Sequence, residues 1–223
     1  MSHNITIEGG KTVKLLTAGK YCDQDIIVTA GGSNSENSLY YATKLDGVYS
    51  AANFPENYSL TIRTKNVPTL YQAFGAAVNL KHLKLIIEDK ETPIQFSQTF
   101  RSCGAETVDL SETSCKLTSS CAYCFFQATT KNIIGALDLS ACTDLNYAFF
   151  SPIEEVRIVP GSIYIDVRFN SGGLTPESIE SIIEGLADLT GQTTRTLTLN
   201  GVWNKLTEDQ LQRITNKNWS LAY

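Results

Sequence analysis

Four stretches carry the fold: AFGAAVNLKHLKLI (residues 73–86), TFRSCGAETVDLSE (99–112), FFQATTKNIIGALDLS (125–140) and FFSPIEEVRIV (149–159). Each runs from a phenylalanine through small and polar residues into a short apolar alternation: Leu83-Lys84-Leu85, Val108-Asp109-Leu110, Leu137-Asp138-Leu139 and Val156-Arg157-Ile158. Phe74 to Phe100 is 26 residues, Phe100 to Phe126 is 26 and Phe126 to Phe150 is 24. A spacing of about 25 residues falls in the range of leucine-rich repeats. A unit of that length cannot close a core alone, so each must bury its strand face and its ring against the next. The spacing predicts an α/β solenoid, a short body of parallel strands with Phe74, Phe100, Phe126 and Phe150 stacked inside. The competing reading is a run of unrelated hairpins whose spacing coincides.

Two units share an exit sequence, Asp109-Leu110-Ser111 and Asp138-Leu139-Ser140, but Leu110 to Phe126 is 16 residues and Leu139 to Phe150 is 11. The difference of five predicts an insertion around Ser114–Ser120.

Upstream, residues 1–30 alternate apolar and polar at Ile5 and Ile7, Val13 and Leu15, and Ile26 and Val28, which reads as a small β-module. Residues 31–38, GGSNSENS, have linker composition, and 39–223 form the repeat body. Tyr40, Tyr41, Tyr49, Phe54 and Tyr58 follow the linker and are expected to close the first repeat, or else to offer an aromatic contact surface. A cap begins at about 174. Thr175 suits an N-cap with Pro176 at N1, and Ile179, Ile182, Ile183 and Leu186 make one apolar face that ends near Gly191. Thr196-Leu197-Thr198-Leu199 reads as a strand and Thr207-x-x-Gln210 as a capping box, so helix, strand and helix close the chain.

These features resemble the BspA-type leucine-rich repeat proteins, and more narrowly small phage or prophage structural proteins of low-GC Gram-positive bacteria. The likeness rests on Ile5-Thr6-Ile7-Glu8 with Tyr21 and Asp25-Ile26-Ile27-Val28, on the phenylalanine–strand repeat, and on the block from Leu174-Thr175-Pro176 through Gly191, Leu197–Gly201, Leu206-Thr207 and Trp219. The resemblance implies a structural or adhesive role and names no ligand.

Composition narrows the alternatives. Hydrophobic residues are 42% and charged residues 18%, enough apolar material for a core and too little charge for disorder. Net charge is −5 with no basic block, so a nucleic acid backbone would be repelled. There are 24 threonines against 18 lysines and arginines, a surface of hydroxyls suited to strands and turns. No stretch approaches a membrane span, and MSHNITIEGG has no basic segment leading into an apolar one.

Catalytic chemistry is sparsely represented. The histidines are His3 and His82, and no G-x-S-x-G, P-loop, H-E-x-x-H or dinucleotide glycine motif occurs. Cys121-Ala122-Tyr123-Cys124 lacks the second ligand pair a zinc site needs, and core packing is its expected role. All six cysteines, Cys22, Cys103, Cys115, Cys121, Cys124 and Cys142, are expected reduced. Asp23/Asp25, Glu88/Asp89 and Glu154/Glu155 read as solvated surface.

The candidate binding residues are the middle positions of the strands: Lys84, Asp109, Asp138, Arg157 and Asp166. Strands about 4.8 Å apart would align them as a charged ladder, with Asp109 beside Asp138. The expected protein is noncatalytic, without cofactor or metal: a virion component of tail or baseplate, made in the host cytoplasm. Its N-terminal module would bind other virion proteins, and its repeat surface a host glycan or protein, in several copies per particle. A bacterial surface adhesin or interaction module of the same repeat family is the alternative, and a glycan-directed enzyme the third reading.

Overall fold

The computed structural model describes residues 26–29, for backbone alone, together with 45–113 and 116–222. They form a mixed α/β structure in which every strand pairing is parallel. Five strands follow one another across the main sheet: β1 (Ile26–Thr29), β2 (Tyr58–Thr64), β3 (Leu80–Ile87), β4 (Thr107–Glu112) and, after β5 (Lys116–Ser120), the long β6 (Asn132–Asp144). β7 (Glu155–Ile158) pairs with the first half of β6, and β5 with its second half. A second sheet holds β8 (Val167–Asn170), β9 (Arg195–Asn200) and β10 (Trp219–Ala222). Helices α1 (Pro176–Gly185) and α2 (Glu208–Asn216) follow β8 and β9. Of the expected N-terminal module only β1 is described, and it pairs with β2. The linker at 31–38, with Tyr40, Tyr41, Cys22, Cys115, Asp23 and Asp25, lies outside the described residues.

Alternation sets which side of each strand is buried. Leu60 and Ile62, Leu83 and Leu85, Val108 and Leu110, and Val156 and Ile158 all face the core. Opposite the sheet, the return segments hydrogen-bond to one another in the same order. The amide of Tyr49 donates to the Ala73 carbonyl (2.8 Å), Phe74 to Thr99 (2.9 Å), Phe100 to Cys124 (2.9 Å) and Phe125 to Ala148 (2.8 Å). Each pass of the chain is therefore held to the next on two sides. Buried hydroxyls satisfy carbonyls between these ladders: Thr99 donates to Leu70 O, Thr130 to Ala105 O and Ser151 to Thr130 O.

The rings stack as the spacing requires, with a shift. The interior column is Tyr49, Phe74, Phe100, Phe125, Phe149 and Phe169, with successive centroids 5.4, 5.7, 4.9, 6.3 and 4.5 Å apart. Phe125 and Phe149 occupy the places expected of Phe126 and Phe150, which point outward. Of the aromatic residues expected either to close the first repeat or to offer a contact surface, Tyr49 and Phe54 are buried, and Tyr49 stacks on Phe74.

The strand register also differs from expectation. Val108 lies opposite Ile133 and Asp109 opposite Ile134, so the rung after β4 is Ile133-Ile134, not Leu137-Asp138-Leu139. Between β6 and β7, Asn132 pairs with Glu155 and Ala136 with Arg157, four residues against two, so β6 carries two extra residues there. Gly135, with φ +105°, makes that bulge possible, because a side chain rarely adopts this backbone. One irregularity therefore lies within β6, and β5 carries register shifts of its own at Lys116/Thr118 and Ser119/Ser120, within the stretch expected to hold the insertion; residues 114 and 115 lie outside the described residues. Gly104 marks the closest approach between passes, since a Cβ there would sit 1.9 Å from the Val78 carbonyl oxygen.

At the C-terminal end α1 covers the free edge of β7. Ser178 Oγ accepts from the Val156 amide (3.0 Å) and Ser181 Oγ from the Ile158 amide (2.9 Å), replacing the strand that would come next. Thr175 caps α1, and Ile179, Ile182 and Ile183 are buried, as the pattern predicts. The helix stops at Gly185 rather than near Gly191, because Ile163 bridges to Leu186 and draws the chain back into extended form. Thr207 and Gln210 form the capping box of α2. One strand beyond the expected helix–strand–helix ending, β10, adds in parallel to β9.

Candidate functional site

The five charged residues expected to form a ladder are mostly separated by the register. Only Lys84 and Asp109 stand opposite each other. Lys84 Nζ lies 3.6 Å from Asp109 Oδ2 and 2.6 Å from Glu112 Oε1. The Glu112 hydrogen bond is the main reason the ammonium is held above its ordinary range. Burial works against the Asp109 charge, but hydrogen bonds from Ser111 and the nearby Lys84 outweigh it, and the carboxyl sits below its usual range. Asp138 lies opposite Lys116 on β5 and accepts from the Ser140 amide (2.9 Å), so the expected Asp109–Asp138 contact does not form. Arg157 is exposed opposite Ala136, and Asp166 accepts from the Thr196 amide (2.7 Å). Of these five charges, Lys84 and Asp109 are the two that meet in an ion pair.

The four described cysteines pack in the core. Cys103, Cys121, Cys124 and Cys142 are free and buried, with Cys121 Sγ 3.2 Å from Cys142 Sγ on the neighbouring pass. Burial pushes the Cys103 thiol up to about 11 and Cys124 well above its ordinary value. Among the described residues no three His, Cys, Asp or Glu side chains are grouped to hold a metal.

What the charged pattern did not reveal is an aromatic strip on the return face. Tyr123 stacks on Tyr147 at 5.2 Å and 17°, while Phe126 lies 6.0 Å from Phe150. Within each pass the two rings meet nearly edge-on, Tyr123 with Phe126 at 82° and Tyr147 with Phe150 at 63°. An arginine closes each end: Arg101 lies 6.0 Å from the Tyr123 centroid and 5.9 Å from that of Phe126, and Arg168 lies 4.9 Å from Phe150. Asn200 braces Arg168, its amide oxygen accepting from Nη2 (2.7 Å) and Nε (3.1 Å).

Local backbone geometry builds this strip. Gln72, Gln98, Tyr123 and Tyr147 occupy the same place two residues before a core ring, and all four have φ between 52° and 56°. The left-handed conformation turns the chain so that the next side chain but one enters the core and this one stays outside. Such a backbone costs a residue with a Cβ roughly 1–2 kcal/mol. Contacts between passes offset that cost: Gln72 Nε2 donates to Gln98 Oε1 (2.9 Å), and Tyr123 stacks on Tyr147. Tyr147 is nonetheless 44% exposed. Beyond Phe150 the surface opens into a hollow of about 430 Å³ lined by Gln127, Pro152, Asn170, Gly172 and Gly173.

No family model matches the sequence, and no curated protein or solved structure matches it either.

The signal for the strip was present in the doublets. Phe74 and Phe100 stand alone, whereas Phe125-Phe126 and Phe149-Phe150 are pairs, and the interior column takes one ring from each pass. Tyr123 and Tyr147 repeat at the interval of the core rings.

Proposed function

We propose that this chain is a noncatalytic contact protein, a short solenoid of the leucine-rich repeat kind that serves as a tail- or baseplate-associated virion component. The observation that carries the contact role is the partly exposed strip from Arg101 across Tyr123, Phe126, Tyr147 and Phe150 to Arg168. Tyrosine, phenylalanine and arginine are the residues enriched where proteins bind proteins. The solenoid reading is supported by two hydrogen-bonded ladders that repeat with the ring column, and the virion setting by the resemblance of the sequence blocks to phage structural proteins.

The strip favours a protein partner over a glycan. Tyr123 and Tyr147 cover one another's faces, and guanidinium groups lie over Tyr123, Phe126 and Phe150. The surface offers ring edges, phenol hydroxyls and cations more than the open ring faces on which a sugar stacks.

Particles prepared from a host that expresses the chain test the assignment. The chain is expected to co-sediment with intact particles through a density gradient and to appear in their mass spectrum. Particles that assemble without it would overturn the virion reading.

A further inference from the structure

We propose that the strip binds an extended acidic segment of a partner protein, with two carboxylates four residues apart and an apolar residue midway between them. This inference rests on the strip being the contact surface.

Charge is the first support. Lys84, Lys81, Lys131, Arg63 and Arg213 all have carboxylate partners, whereas neither Arg101 nor Arg168 has one within 4 Å among the described residues. Arg101 Nη1 instead donates to Gln98 Oε1 (3.2 Å), and Arg168 donates to the Asn200 amide. Both arginines are exposed and held in place by neutral acceptors. In a chain of net charge −5, two braced guanidiniums without counter-charge, one at each end of an aromatic strip, make a face suited to an acidic ligand.

Spacing is the second. Arg101, Tyr123 with Phe126, Tyr147 with Phe150, and Arg168 lie on four successive passes, and three steps of about 4.8 Å separate the outer two backbones by roughly 14 Å across the sheet. An extended peptide rises about 3.4 Å per residue, so residues i and i+4 span roughly the same distance and point the same way. Residue i+2 points that way too, and it falls over the ring edges in the middle. The favoured ligand therefore reads acid, any, apolar, any, acid. A helix places i and i+4 only about 6 Å apart and does not fit.

The test uses the full chain and two labelled peptides of identical composition, with blocked ends: Thr-Glu-Thr-Leu-Thr-Glu-Thr and Thr-Thr-Glu-Leu-Glu-Thr-Thr. Fluorescence anisotropy is expected to show the first bound about fivefold more tightly, the scale of one exposed ion pair. Arg101→Gln and Arg168→Gln should each abolish that preference, Lys205→Gln should leave it intact, and added salt should shrink it. Equal affinity for the two peptides, no binding of either at millimolar concentration, or a preference that survives both arginine substitutions would overturn the proposal. Such a failure with the chain still present in particles rejects only the acidic partner. A clear spacing preference with the chain absent from particles rejects only the virion setting.

Discussion

Phe125 and Phe126 are neighbours in sequence and opposites in fate. Phe125 is wholly buried between Phe100 and Phe149, and Phe126 is half-buried under Arg101 and beside Phe150. Phe149 and Phe150 repeat the contrast one pass later. Among the described residues the inner column runs through six rings and holds the passes together, while the outer one spans two passes and ends on arginines at both sides. Identical chemistry thus serves cohesion at one position and lies at the surface at the next. What distinguishes the two is the left-handed residue at Tyr123 and Tyr147, which decides which ring turns inward.

The largest effect that could break this contrast is on stability. Phe125→Ala removes a buried ring from the middle of the stack and is expected to cost about 3–5 kcal/mol, whereas Phe126→Ala gives up a partly exposed cation–π contact worth about 1 kcal/mol. Urea denaturation of the two variants measures the difference, and equal losses would mean that no inner and outer columns exist.

A smaller effect has a change of sign. At Tyr123, where φ is 56°, Tyr123→Gly is expected to be about 1 kcal/mol more stable than Tyr123→Ala, because glycine has no Cβ to strain. Two residues on, outside the left-handed region, Phe125→Gly should be less stable than Phe125→Ala by about 0.5–1 kcal/mol. The same two denaturation series decide it, and a preference for alanine at both positions would reject the geometry at 123.

Much of this fold was legible beforehand. The 25-residue interval gave parallel passes and stacked rings, because burial at a fixed period leaves few other arrangements. The caps at Thr175 and Thr207 were legible because their hydrogen bonds are local. Register was not. Leu137-Asp138-Leu139 copies the rung pattern of Val108-Asp109-Leu110, and only the bulge at Gly135 shows that Ile133 is the true counterpart. The charged ladder inherited that error. The strip was missed for a related reason, since a doublet of phenylalanines does not say which member faces in. That depends on a backbone turn at Tyr123 and Tyr147, residues with no intrinsic preference for it.

The smallest effect concerns pH and the first ring of the inner column. Burial, and then the neighbouring Tyr58, push the Tyr49 phenol up to about 12 from an ordinary value of 10.0. Folding therefore favours the protonated phenol: its contribution to stability is complete below pH 10 and declines as pH rises from about 10 to about 12. Cys103, pushed up to about 11 from 9.0, contributes in the same direction between about pH 9 and pH 11. Tyr49→Phe keeps the stacking on Phe74, 5.4 Å away, and removes the ionisation. Denaturation midpoints followed from pH 8 to 11 should fall less steeply above pH 10 in this variant, and Cys103→Ala should flatten the earlier part of the decline. If Tyr49→Phe leaves the slope above pH 10 unchanged, Tyr49 is not enclosed, and its ring does not belong to the inner column in which its stacking on Phe74 places it.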